Sequence, residues 1–256
     1  MTIKEFKLQA PIAGFDWMKN LSQLFGVSHD RYFKAFNIPG HNGLDIIVPG
    51  PYDLAYGTPI LAAHSGIVIA ISNDKSRSRG SGVVLQTLLD DEVVVQTTYW
   101  HLSEVMVTWG EKINVGQPIG RMGNTGYVFP EATDSCKKCG THLHFALSLF
   151  KNGKPLFTDY GNFVDPIPYM FNEGDKLPMK LPWDLFLGLK GDAVSGLQTL
   201  LRLEGFAQDY IPVGEFGWRT KRDVEALQRK LGITPFFGYC GKKTRKYLND
   251  KYAVNN

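Results

Sequence analysis

The stretch GTHLHFAL, residues 140–147, sets two histidines one residue apart in an otherwise apolar run. Side chains two apart on a strand point the same way, so extending the run to Phe150 sorts it into two rows. Thr141, Leu143, Phe145, Leu147 and Leu149 form a nearly apolar row suited to a core. His142, His144, Ala146 and Ser148 form the other, which presents two imidazoles side by side. By itself an HxH pair reads as an exposed edge with two incidental histidines. Other residues must give it meaning.

The chain has six histidines, and four of them fall in three β-rich segments: His41 in GHNGLD, His101 in YWHL, and His142 with His144. His41 and Asp45 stand four apart across Gly43, just before the apolar run LDIIVP. A glycine lets the chain turn tightly, so both side chains could reach one point. Joined by a distant histidine, they make a two-histidine, one-carboxylate set, which suits a catalytic Zn2+ that keeps its fourth position for water. The other two histidines carry no such pattern. His64, in AAHSG, falls at a turn, and His29 lies in a polar segment, so both are read as structural or exposed. Tyr99 shares a strand face with His101 and either lines a groove or packs in the core. Asn124, in GNTG, is a turn residue first and a substrate contact second.

The elements that must position these residues are short strands. GLDIIVP, TPILAAH, GIVIAIS, GVVLQTLL, EVVVQTTYWHL and THLHFALSLF are rich in β-branched and aromatic residues and are separated by Gly, Pro, Asn or Asp. Turns at such regular spacing imply an antiparallel sheet rather than βαβ units. The 27 glycines and 14 prolines favour the same architecture over a helical bundle. Residues 1–40 have mixed periodicity and are expected to wrap the sheet. The strand signal ends near FVDPIPYM, and the polar, proline-bearing stretch NEGDKLPMKLPW, residues 172–183, reads as a linker.

Beyond it the periodicity becomes helical and echoes itself at an offset of 30 residues. Val194, Leu197-Gln198, Leu201 and Phe206 align with Val224, Leu227-Gln228, Leu231 and Phe236. A second echo, GxxGxxT, occurs as Gly214-Gly217-Thr220 and Gly238-Gly241-Thr244. Each threonine is expected to open a helix, Thr220 with Asp223 as a capping box. The fold class is therefore multidomain: a mainly antiparallel β domain over residues 1–172 (core 41–169), a linker at 173–186, and a small all-α domain of three helices at 187–252.

Composition bounds the partners. The net charge of +3 and the lack of a Lys/Arg-rich run argue against nucleic acid. From residue 181 onward there are 12 Lys and Arg against 8 Asp and Glu, so the basic character sits in the tail and suits an anionic surface. No run of about 18 apolar residues predicts a membrane span, and the N-terminal segment lacks the apolar stretch of a secretory signal. A monomer made in the cytoplasm is the expectation. Cys136 and Cys139 form a CxxC without a second pair to complete a zinc site. A local pair or plain thiols stand beside a shared or redox-active site as readings.

The order HxGxD, YxHL, GNTG, HLHF resembles that of the lysostaphin-like zinc metallopeptidases, which cut peptide bonds in bacterial peptidoglycan. The resemblance runs from about His41 to Tyr169 and includes GTPILAAHSGIV, VGQPIGRMGNTG and VDPIPY. The tail is similar to three-helix peptidoglycan-binding modules, through its paired LQ and GxxGxxT elements. The resemblance implies that His41, Asp45 and His144 ligate Zn2+ and that His142 is the general base. It gives His101 the task of orienting water or stabilising the developing oxyanion. The division is chemically sound: a metal lowers the pKa of water to near 7, and an ordinary imidazole, with a pKa of about 6.5, accepts a proton at neutral pH. The resemblance further implies a wall-anchored endopeptidase of the phage endolysin type, released at lysis to act on peptidoglycan. The alternative is a non-catalytic wall-binding or regulatory protein that kept the fold, against which stands the retention of all five residues. One departure is visible: residues Tyr127–Gly140, with the CxxC, intervene between the glycine turn and HLHF, and this loop is expected to shape substrate choice or access.

Overall fold

The computed structural model describes residues 1–254 except 15, 77–78, 158–159, 161, 173–174, 207–213 and 236. It divides into two compact units, one of Met1–Ser22 with Gly43–Leu156, the other of Gln23–Asn42 with Phe157–Asn256.

The first unit is built on antiparallel strands: β1 (Leu44–Ile46), β2 (Gly66–Ser72), β3 (Gly82–Leu88), β4 (Val93–Trp100) and β5 (Leu143–Lys151). Their order across the sheet is β1, β5, β4, β3, β2, with the short strand Lys112–Ile113 beyond β2. Sequential strands β2, β3 and β4 are neighbours, while β5 returns to pair with both β4 and β1. The expected antiparallel β architecture is therefore present. The apolar row of β5 is core as anticipated: Leu143, Phe145, Leu147 and Leu149 are buried, against Val83, Leu85, Val95 and Tyr99 of the neighbouring strands. The second row is exposed nowhere along Ala146 and Ser148. Only its histidine end opens to a site. TPILAAH yields strand only at Pro59–Leu61, which joins Pro118–Arg121 and Glu104–Val105 in a small separate sheet.

The second unit contains α1 (Asp192–Leu203), α2 (Trp218–Leu231) and α3 (Lys242–Tyr252). Each buries an apolar stripe: Val194, Leu197, Leu200 and Leu201 on α1, Val224 and Leu227 on α2, Leu248 and Tyr252 on α3. The expected helix openings need correction. The N-caps are Gly217 and Gly241, and Thr220 and Thr244 lie one turn inside. Their hydroxyls are needed elsewhere. Gln198 Nε2 donates to Thr220 Oγ1 and to the Glu215 carbonyl (both 2.9 Å), and its Oε1 accepts from the Gly214 N–H (3.0 Å). Gln228 repeats the device with Thr244 Oγ1, the Tyr239 carbonyl and the Gly238 N–H (3.1, 2.8 and 3.2 Å). The LQ echo and the GxxGxxT echo are thus two halves of one clamp, a buried glutamine gripping the loop that leads into the next helix. Phe236, the last member of the 30-residue echo, lies outside the described residues, as do residues 173–174 of the polar stretch. Farther along that stretch Leu177 exchanges backbone hydrogen bonds with Tyr252 and Val254, and just beyond it Leu185 does so with Cys240.

Candidate metal centre

The β1–β5 ladder decides where the first two ligands meet. His144 is the cross-strand partner of Asp45 on one side and of Trp100 on the other. Directly opposed residues carry their side chains on the same face, and Nδ1 of His144 lies 3.0 Å from Oδ1 of Asp45. His41 enters from the other side of Gly43, and the ligand atoms of His41, Asp45 and His144 all lie within 4.8 Å of one another. His41 turns Nδ1 toward the Leu24 carbonyl at 3.1 Å. A carbonyl only accepts, so the proton sits on Nδ1 and Nε2 keeps the lone pair a metal needs.

Gly43 has a different reason than a tight turn. A Cβ placed there would stand 2.6 Å from the Phe145 carbonyl oxygen and 2.9 Å from Nε2 of His144. The HxGxD spacing therefore needs glycine because the His144 ring and the β5 backbone fill that space. Two imidazoles, one carboxylate and buried surroundings match the donor set of a transition-metal ion such as zinc. The residues fit.

Two further imidazoles line the same spot. The rings of His101 and His142 have centroids 4.7 Å apart, and His101 lies 6.0 Å from His144. Nε2 of His142 is 3.6 Å from Oδ1 of Asp45. Its Nδ1 faces the Gly140 carbonyl at 2.7 Å, and Nδ1 of His101 faces the Thr125 carbonyl at 2.8 Å. Both rings are thereby fixed with the proton on Nδ1 and the lone pair on Nε2. His101 is buried, which holds its pKa down at about 3, and the neighbouring His142 and His144 push the same way. It is a neutral acceptor across the physiological range. His101 also terminates β4 with φ 65°, a left-handed conformation that histidine enters more readily than most residues. This corrects the shared strand face expected for Tyr99 and His101: Tyr99 points into the core, its hydroxyl accepting from the Ala63 N–H at 2.8 Å.

His64 is a structural residue, buried with Nε2 2.8 Å from Thr97 Oγ1. The side chain of His29 lies outside the described residues. Cys136 and Cys139 are joined in a disulfide, the local pairing among the readings left open. Asn124 is more than a turn residue, since its Nδ2 donates to the carbonyls of Lys137 (3.0 Å) and Cys139 (2.9 Å). Sequence reasoning missed the carbonyls of Leu24, Thr125 and Gly140, because a backbone acceptor leaves no mark on residue type.

A β sheet carrying this histidine and carboxylate cluster presents a candidate metal centre with two further imidazoles beside it. Residues 39–158 match the model of Peptidase family M23. Among curated relatives, Peptidoglycan DD-endopeptidase ShyA of Vibrio cholerae is 34% identical over 116 residues, covering 45% of this chain and 21% of ShyA. Lysostaphin of Staphylococcus simulans is 26% identical over 160 residues, covering 62% of this chain and 26% of lysostaphin. The chain thus spans about a fifth to a quarter of the length of these relatives. Among solved structures, the catalytic domain of S. simulans lysostaphin aligns at 25% identity and TM-score 0.40, covering 60% of this chain and 94% of that domain.

Proposed function

We propose that this protein is a zinc-dependent endopeptidase that hydrolyses peptide bonds, in stem or cross-bridge, of bacterial peptidoglycan. The observation that carries the reading is the convergence of His41, Asp45 and His144 within 4.8 Å, with the His142 and His101 rings beside them. The name of the relative ShyA, a peptidoglycan DD-endopeptidase, supports peptidoglycan as the substrate. His41 Nε2, Asp45 and His144 would hold the ion, and bound Zn2+ would polarise the scissile carbonyl and acidify water. His142, its Nδ1 proton committed to Gly140, takes a proton from the attacking water at Nε2 and delivers it to the leaving amine. Of the two roles implied for His101, orienting water is the one its geometry supports: a neutral ring with Nδ1–H occupied offers only a lone pair at Nε2.

The C-terminal helices are read as the wall anchor, supported by the doubled glutamine clamp and the basic balance of the tail. Anchoring raises the local concentration of cleavable bonds. The pairing of a cutting domain with such an anchor supports a lysis enzyme of the phage type. No described helix is long and apolar enough to cross a membrane.

The test is digestion of purified peptidoglycans of several cross-link chemistries by the zinc-loaded protein, with chelated protein as control. New amino termini found by mass spectrometry, and absent with chelator, are the expected result and name the bond. Binding to every wall type without new termini would replace the enzyme with a wall-binding protein.

A further inference from the structure

The segment between the GNTG turn and β5 has a place in the site that its sequence did not reveal. We propose that Asn124 and the Cys136–Cys139 disulfide form a latch that positions the Gly140 carbonyl, and through it holds His142 in the one tautomer that can act as base. The inference rests on the reading of His142 as the general base.

Each link is a short contact. Gly123-Asn124-Thr125 serves three masters in three consecutive residues. The Gly123 carbonyl accepts from the His142 N–H (3.2 Å), Asn124 Nδ2 donates to the Lys137 and Cys139 carbonyls, and the Thr125 carbonyl accepts from His101 Nδ1. The residues Asn124 grips lie between the two cysteines or at one of them, so the disulfide and the amide close the same small loop from two sides. Thr133 and Cys136 exchange backbone hydrogen bonds (3.1 Å each), and Thr141 Oγ1 donates to the Lys138 carbonyl (2.7 Å). Gly140 follows directly. Its φ is +73°, and a Cβ there would stand 2.3 Å from the Pro130 carbonyl oxygen, so the peptide is wedged against the start of the insertion. From that fixed peptide the carbonyl reaches His142 Nδ1 at 2.7 Å. A neutral imidazole interconverts between two tautomers unless a partner selects one. An acceptor at Nδ1 places the proton there and leaves Nε2, the nitrogen facing Asp45, with its lone pair. Asn124 and the cysteines touch no reacting atom. They are positioning residues.

The test compares the zinc-loaded wild type with Asn124→Asp and with the double variant Cys136→Ser/Cys139→Ser. Aspartate keeps the shape of asparagine but faces two carbonyls without a donor. Turnover is expected to fall roughly 10- to 100-fold in both, with KM and bound zinc held at wild-type values. Long-range proton–nitrogen spectra of the His142 ring should show the Nδ1–H tautomer in the wild type and a mixture in the variants. Lys137→Ala, which removes a side chain but keeps the gripped carbonyl, should turn over normally. A phosphine reductant gives a check without mutation: the S–S bond breaks, the phosphine becomes its oxide with oxygen from water, and the water protons cap the two thiols. Turnover of the wild type should fall on reduction and return on reoxidation, while the serine variant stays unresponsive. Undiminished turnover of the reduced wild type, with an unchanged His142 tautomer, overturns the latch. Full turnover of His142→Ala would instead overturn the assignment of the base, so the two failures are told apart.

Discussion

Asp45 and His144 face each other across the β1–β5 ladder, and their side chains meet at 3.0 Å between Oδ1 and Nδ1. Register makes this pairing. A slip of one residue would turn both side chains to the opposite face of the sheet and leave His41 without partners. Asp45 and His144 are thus as rigid as the sheet that carries them, while His41, His142 and His101, turned toward the carbonyls of Leu24, Gly140 and Thr125, depend on elements of their own.

That difference predicts two kinds of loss. His144→Ala removes a ligand, so both zinc content and activity should vanish, as should be seen by metal analysis after dialysis. His142→Ala leaves the three ligands in place and should retain zinc while losing about 10²–10⁴-fold in turnover. Equal zinc loss in both variants would show that the division between ligand and base is drawn in the wrong place.

Gly43→Ala probes the space between ligands. The added methyl would press on the Phe145 carbonyl at 2.6 Å and the His144 ring at 2.9 Å. The β5 backbone is pinned by two ladders, so the ring must move. Zinc affinity, read by competition with a chelating dye, should drop by about 10-fold or more, on the scale of lost ligand orientation. The cost in stability should be roughly 1–3 kcal/mol. Wild-type affinity in a folded Gly43→Ala protein would return the glycine to the role of a turn residue.

How far the sequence could be read follows from what each feature requires. The strands and their inward row were legible because side chains alternate faces along a strand with a period of two, and Leu143 to Leu149 keep it; that Ala146 and Ser148 opposite are buried as well was not. The convergence of His41, Asp45 and His144 was legible because a metal site calls for particular residue types. The clamp was half legible: Gln198, Gln228, Thr220 and Thr244 stood out as repeats, yet periodicity could not show that each glutamine serves a threonine of the following helix. It pointed to helix caps, and the buried hydroxyls prevailed over that local rule. The left-handed turn at His101 and the carbonyls that set the tautomers were not legible, because they are properties of the backbone.

The clamp itself can be measured. Gln198→Ala strips partners from the buried Thr220 and Gly214 and from the part-buried Glu215 carbonyl, and Gln228→Ala does the same to Thr244, Gly238 and the Tyr239 carbonyl. An unsatisfied buried polar group costs roughly 1–3 kcal/mol, so each variant should lower the unfolding free energy of the helical unit by about that amount in denaturant titrations. The active-site histidines are remote in sequence from these residues, and hydrolysis of a small soluble peptide substrate should be unaffected while wall binding weakens. A peptide activity that falls in step with wall binding would contradict the anchor reading.

Acid should separate the two units, and the sign can be worked through. In the metal-free protein, burial lowers the pKa of His101 to about 3 and also lowers that of His64. Unfolded histidine titrates near 6.5. Between these values the unfolded chain binds protons that the native state refuses, so stability must rise with pH there and is lost as pH falls below about 6.5. Glu204, in the other unit, behaves differently. Burial alone would raise its pKa, but hydrogen bonds from Lys251, Tyr247, Lys230 and Tyr252 overcome this and bring it down to about 2. Its contribution is therefore complete above about 4.5 and is lost only as pH falls from there toward 2. Followed by hydrogen exchange on the chelated protein, the sheet should lose protection between pH 6.5 and 5, where the helices remain closed. His101→Phe should flatten the decline in the sheet, and Glu204→Gln should cost the helices roughly 1.5–3 kcal/mol at neutral pH. Loss of protection in the helices first, on lowering the pH from 6.5, would mean that groups other than these two set the acid limit of each unit.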